Sequence, residues 1–305
     1  MEGVLFLNKP AGMTSHDCVA KMRRLARTKK IGHTGTLDPD VTGVLPICIG
    51  RATKIVEYLT ASSKTYEAEV TIGIATTTED ASGDVVNRKA VTKPITKNEI
   101  DEVFHSMVGT IEQIPPMYSA VKVNGKKLYE YARAGIEIER PVRKITITEL
   151  CQLDEIVHEE NIARFRFRVT CSKGTYVRTL AVMIGEKLGY PAHMSHLIRT
   201  KSGRFHIDDC FTFEEIEEKV TKGILQEVLL PIGEALKDLP KIYIHDNLTE
   251  KVKNGAVLDL PKEFLDYEVG SPIVIYDNSM RCLAIYAKHP TKPHLMKPTK
   301  VLMNV

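Results

Sequence analysis

Two stretches of this chain alternate apolar and polar residues with a period of two, which limits the fold more tightly than any other feature. In residues 65–74, TYEAEVTIGI, Tyr66, Ala68, Val70, Ile72 and Ile74 share one face, against Thr65, Glu67, Glu69 and Thr71 on the other. In residues 163–171, ARFRFRVTC, Ala163, Phe165, Phe167, Val169 and Cys171 oppose Arg164, Arg166, Arg168 and Thr170. Such strands belong to a sheet with one face on a core and one toward solvent. The second strand turns guanidinium groups outward.

Helical patterns are interspersed with these strands. Thr14 or Ser15 can cap a helix whose apolar positions are Cys18, Val19, Met22, Leu25 and Ala26. Thr96 with Glu99, and Thr212 with Glu215, read as capping boxes. Val177, Leu180, Ala181, Ile184 and Leu188 form a further helical stripe. Arg178 falls in the first turn of that helix, where a cation opposes the helix dipole, so a partner such as a carboxylate is expected. Asn124-Gly125 marks a hairpin. Beyond Pro240 the texture changes to short strands at 241–244, 272–276 and 282–287. The expected class is therefore α+β: a central mixed or antiparallel sheet flanked by helices over residues 1–239, and a small β-rich domain over 240–305.

The six cysteines lie at least 20 residues apart and form no close pair, and His193 with His196 lacks further ligands, so neither a metal site nor a redox motif is expected. No apolar run approaches the roughly 18–20 residues of a membrane span, and the N-terminus does not read as a signal peptide. These features imply a cytoplasmic protein. A net charge of +3 conceals asymmetry: residues 21–30 carry six basic and no acidic residues, and residues 164–205 carry nine basic against one acidic. Residues 206–235 reverse this with eight acidic and two basic. A surface so polarised suits phosphate neutralisation.

The segment Gly32-His33-Thr34-Gly35-Thr36-Leu37-Asp38-Pro39-Asp40-Val41-Thr42-Gly43 reads as a constrained loop presenting one carboxylate, Asp38. Its basic neighbours should keep that group ionised. The D-x-D-x-T pattern of phosphate-transferring aspartate enzymes also matches at 38–42. Their nucleophile ends a buried apolar strand, and HTGTL before Asp38 cannot form one.

Residues 32–54, GHTGTLDPDVTGVLPICIGRATK, closely resemble the central motif of the TruB family of tRNA pseudouridine synthases. The resemblance extends to Lys9-Pro10 with Gly12, Lys64-Thr65-Tyr66-Glu67-Ala68, Gly174-Thr175-Tyr176-Val177-Arg178-Thr179 and Leu197-Ile198-Arg199-Thr200, in the family's order. It implies that Asp38 is the catalytic aspartate, that Tyr66 stacks on a flipped uracil, and that Arg178 pairs with Asp38 and lowers its pKa. It further implies that His33 enters the T loop, that Tyr176 and Leu197 line the base pocket, and that Lys9 and Pro10 serve as packing. Residues 118–145, with seven basic residues against three glutamates, resemble a thumb that closes on RNA, and the tail resembles the family's PUA domain. The implied partner is the T arm of tRNA, with no cofactor, metal, membrane or protein partner indicated. A guide-RNA-dependent enzyme of the dyskerin type, or an RNA-folding chaperone with secondary catalysis, are the competing readings.

Overall fold

The computed structural model describes residues 1–303; Asn304 and Val305, the end of the expected 240–305 domain, lie outside the described residues. Its centre is a mixed sheet whose main path runs, edge to edge, through Gly3–Lys9, Thr42–Ile49, Ala192–Ser202, Lys64–Ile72, Ile162–Cys171, Arg143–Gln152 and Gly109–Gln113. The two alternating stretches are neighbours in it. Lys64–Ile72 pairs antiparallel with Ile162–Cys171, Tyr66 opposite Val169 and Glu67 opposite Arg168. The apolar face of both strands meets the helices Ser15–Leu25, Lys97–Met107, Val177–Leu188 and Phe213–Thr221 in one core that includes Val70, Phe165, Phe167, Met22, Phe104, Ile184 and Ile216. Capping boxes at Thr14 with Asp17, Thr96 with Glu99 and Thr212 with Glu215 fix where three of these helices begin.

Ile74 departs from the expected strand. Gly73, at φ +108°, ends the run, and Ile74 opens a separate hairpin in which Ile74–Thr76 pairs with Val85–Arg88. The arginine face also departs from expectation. Arg166 Nε lies 2.7 Å from Asp154 Oδ2, Arg168 Nη2 lies 2.8 Å from Glu67 Oε1, and Arg164 pairs with Glu159. Each guanidinium on this face already has a carboxylate, so the strand is a salt-bridged surface and not a free phosphate ladder.

The strand Gly3–Lys9 is buried on both faces. Leu5 and Leu7 enter the main core, while Val4 and Phe6 pack with Cys48, Ile55 and, from the C-terminal part, Val274, Tyr276, Ile285 and Leu302. The C-terminal part is a five-stranded sheet, ordered Lys241–Tyr243, Ile273–Tyr276, Cys282–Lys288, Leu295–Val301 and Leu258–Asp259. It is bonded directly to the larger body: Tyr276 Oη donates to the Gly233 carbonyl at 2.8 Å, and Lys54 Nζ to the Val301 carbonyl at 2.6 Å. Asn124 and Gly125 both have positive φ, as a type I′ turn requires, in the hairpin of Lys122–Val123 with Lys126–Lys127. Helix Leu128–Arg133 follows, and Arg143 and Lys144 already belong to the main sheet. Among the described residues no helix is long and apolar enough to cross a membrane.

One contact in the sheet leaves no room for a side chain. Gly43, at φ +105°, sits where Thr42–Ile49 runs parallel to Ala192–Ser202, and a Cβ there would lie 2.2 Å from the Arg199 carbonyl oxygen. Gly43→Ala should therefore lower stability by about 2–4 kcal/mol, read as a shift of the urea midpoint at constant slope. An unmoved midpoint would show that the two strands can separate freely.

Candidate active site

The loop carrying Asp38 is held from both sides of the carboxylate. Before it, the buried Ser15 hydroxyl accepts from the Leu37 N–H at 3.0 Å and donates back to the Leu37 carbonyl at 3.2 Å. After it, the Pro39 carbonyl accepts from Lys9 Nζ at 2.8 Å and from the Gly12 N–H at 3.0 Å. Lys9 is fully buried, and burial pushes its pKa down. Arg199, 1% exposed, donates from Nε to the Val44 carbonyl at 2.6 Å and from Nη2 to the Gly35 carbonyl at 3.3 Å. The two buried cations thus bond backbone carbonyls of the loop and of the strand that follows it.

Asp38 opens into a cavity of about 540 Å³. Arg178, 5% exposed, reaches it from the second residue of helix Val177–Leu188, with Nε 3.0 Å from Asp38 Oδ2. The expected carboxylate partner of this first-turn arginine is thus Asp38, with a second acid nearby: Arg178 Nη1 lies 3.6 Å from Asp80 Oδ2. The guanidinium also donates to the Thr78 carbonyl and to the Tyr118 carbonyl, each at 2.9 Å. Asp80 is itself fixed, its Oδ1 accepting from the Thr78 and Ser82 hydroxyls at 2.6 Å each.

Tyr66, Tyr176 and Leu197 line the same cavity as Asp38 and Arg178. Five of the six residues singled out from the sequence therefore converge. His33 does not line it. It ends the short strand Ile31–His33, half-buried, with its ring edge-on to His16 at 5.5 Å between centroids, and it is His16 that lines the cavity. Burial, then His16, pushes the His33 pKa down, so its imidazole is neutral at neutral pH. Lys64, Tyr118, Lys127, Tyr129, Lys173 and Arg199 complete a wall that is cationic and aromatic. Asp80 had no sequence signal beyond the turn-forming Asp80-Ala81-Ser82-Gly83 in which it sits. Burial lowers the Lys64 pKa to about 8, with Arg199 adding to the effect.

The charge state of Asp38 reverses one expectation. Desolvation by the cavity walls pushes its carboxyl above the usual range; Arg178 opposes this, and Asp80 reinforces it. Its side chain is 46% exposed into the open cavity, so water still reaches the carboxylate. The arginine thus orients the acid without overcoming its burial. Among the described residues no group of three or more His, Cys, Asp or Glu is disposed to hold a metal ion.

A carboxylate paired with an arginine, facing a cavity walled by aromatic rings and cations, marks the site of a nucleic-acid-modifying enzyme. Comparison with known proteins gives the family. Residues 23–177 match the TruB family pseudouridylate synthase N-terminal domain, and residues 178–237 match the tRNA pseudouridylate synthase B C-terminal domain. The chain is 62% identical over 303 residues to tRNA pseudouridine synthase B of Bacillus subtilis (strain 168), covering 99% of this chain and 98% of that protein. It is 61% identical over 307 residues to the protein of the same name from Bacillus cereus (strain ATCC 10987 / NRS 248), covering 100% and 98%. Among solved structures, a Cbf5-Nop10-Gar1 complex matches with a TM-score of 0.76 at 27% identity, covering 99% of this chain and 85% of that one. The chain belongs to the TruB family of pseudouridylate synthases.

The charges around Asp38 set opposite pH effects. Asp38 is protonated at higher pH when folded than when unfolded, so its contribution favours folding at low pH and is lost as pH rises through the elevated value. A catalytic role for Asp38 would need the ionised form, which would put the acid limb of the rate profile above the usual carboxylate range. Asp80→Asn should move that limb down and Arg178→Gln should move it up. Shifts in the same direction would disprove this account of the charges.

Proposed function

We propose that the chain isomerises uridine to pseudouridine at position 55, in the T arm of tRNA, with Asp38 as the catalytic carboxylate. The reading is carried by the Asp38–Arg178 pair facing a cavity walled by Tyr66, Tyr176 and Leu197. The reaction breaks the N1–C1′ bond, turns the uracil and joins C5 to C1′, with no change of redox state. It needs an ionised carboxylate at the ribose and a flat pocket that keeps the freed base. Two roles suit Asp38, attack at C1′ or removal of the C2′ proton. Extrusion of the nucleotide costs a few kcal/mol. Stacking on Tyr66, about 1–3 kcal/mol for a base on an aromatic ring, offsets much of that.

Residues 118–145 are assigned to a thumb over the RNA, supported by exposed Lys122, Lys126 and Arg133 and by Lys127 and Tyr129 in the cavity wall. His33, beside His16 at the cavity's edge, is assigned to the T loop itself. Residues 240–305 are assigned to an RNA-binding domain of the PUA type, and the protein to the cytoplasm, where its substrate is found. With the arginines of Ile162–Cys171 already paired, phosphate contacts fall to the exposed Arg23, Arg24, Arg27, Lys29 and Lys30 and to the thumb.

Asp38→Asn should abolish product formation while changing tRNA affinity by less than about tenfold, roughly 1.4 kcal/mol. Substantial pseudouridine from that variant would falsify the assignment of Asp38. The likeness to the Cbf5-containing complexes keeps the guide-dependent reading in view. The pure protein should modify an unmodified T-arm stem-loop without guide RNA or partners, and failure to do so would establish that second reading. RNA affinity should also fall with salt at a slope near −0.7 per neutralised phosphate on the looped-out strand.

A further inference from the structure

We propose that Gln113 is a positioning residue for the reaction, its carboxamide fixing the main chain at Tyr176 and thereby the arginine that pairs with Asp38. The inference rests on the reading of Asp38 given above. Gln113 ends the edge strand Gly109–Gln113 and is 2% exposed. Its Oε1 accepts from the Tyr176 N–H at 2.8 Å, and its Nε2 donates to the Tyr176 carbonyl at 3.1 Å. Turning the amide over would set donor against donor and acceptor against acceptor, so only one orientation serves.

Two hydrogen bonds from one planar group fix both the place and the rotation of the main chain at Tyr176. Helix Val177–Leu188 starts there with no side-chain cap of its own, and the carboxamide satisfies one of the free N–H groups at its start, that of Tyr176. Tyr176 lines the cavity and Arg178 follows two residues later. A displaced Tyr176 peptide would move a pocket wall and the guanidinium together.

The same segment touches the helix start twice. Five residues after Gln113, the Tyr118 carbonyl accepts from Arg178 Nη2 at 2.9 Å. Between these contacts lie Pro115 and Pro116, whose rings fix φ and stiffen the link. Residues 113–118 therefore form a strut between the sheet edge and the Arg178 guanidinium, and Gln113 is its fixed end. Gln113 is absent from the cavity lining, so its effect runs through Tyr176 and Arg178.

The test uses the full chain and an unmodified T-arm stem-loop RNA, measuring the single-turnover rate, RNA affinity and thermal midpoint. Gln113→Met keeps the volume and deletes both hydrogen bonds. Its rate should fall on the order of tenfold or more, as for a small misplacement of reacting groups, with RNA affinity held within about threefold. In Gln113→Glu, an ionised carboxylate faces the Tyr176 carbonyl, whereas the protonated acid restores one donor and one acceptor. Burial raises the pKa of such a group, so the ratio of variant to wild-type rate should climb as pH falls.

A folded Gln113→Met with a rate within about twofold of wild type overturns the proposal. So does a loss shared equally between rate and RNA affinity, or a Gln113→Glu ratio that stays flat with pH. Should Gln113→Met not fold, the pH ratio of Gln113→Glu decides the matter. Asp38→Asn, run alongside, separates the two readings: an active Asp38→Asn removes the assignment of the site, whereas an inactive one beside a fully active Gln113→Met removes only the role of Gln113.

Discussion

Arg178 is buried, and its guanidinium is bonded through all three nitrogens. It meets the carboxylates of Asp38 and Asp80 and the carbonyls of Thr78 and Tyr118. Those partners come from the loop after His33, the hairpin that begins at Ile74 and the segment leading to the Lys122 hairpin, while the arginine itself comes from the helix after Tyr176. A buried cation is costly unless its donors are used, so the guanidinium ties four separate pieces of chain together. The site is assembled around a charge that cannot be left alone. Removing Arg178 would cost the fold as well as the chemistry, which is why the pH profile discriminates better than the rate.

The same logic runs beneath the loop that carries Asp38. Lys9 and Arg199 are both buried, and each spends its donors on loop or strand carbonyls instead of on acids. Pro39 and Gly35, flanking Asp38, are thereby tied to two different strands of the sheet. This answers how a loop without regular hydrogen bonding can aim one side chain. The packing role expected for Lys9 is of this kind: the ammonium bonds the carbonyl of Pro39, the residue after the acid, and does not enter the cavity lining.

Local chemistry was legible in the sequence, and balances between distant groups were not. The period-two strands, the capping boxes and the Asn-Gly turn need only residues a few positions apart. Glu67, Asp154 and Glu159 reach the arginine face from 101, 12 and 5 residues away, so a face that looked free is neutralised. The strand Leu295–Val301 was hidden by its own composition: Lys297, Pro298 and Lys300 break the apolar pattern. The proline is accommodated where the register with Cys282–Lys288 slips, a place where a missing N–H is tolerated. His33 has a motif position but not a cavity position, because a side chain's direction depends on the strand pairing Ile31–His33 with Thr42–Ile49.

The elevated pKa of Asp38 illustrates why that last layer matters to the chemistry. An acid held far down by an arginine would be ionised but weakly basic and weakly nucleophilic. Here desolvation outweighs the arginine, so the carboxyl is held above its usual range and is the more basic for it. Nearly half of its side chain faces the open cavity before any nucleotide enters. A uracil seated on Tyr66 would displace that water. The Arg178–Asp38 attraction would then strengthen in a lower dielectric while the acid's solvation weakened. Both changes would act on the same two oxygens, so on the proposed reading entry of the nucleotide and the reactivity of Asp38 are coupled.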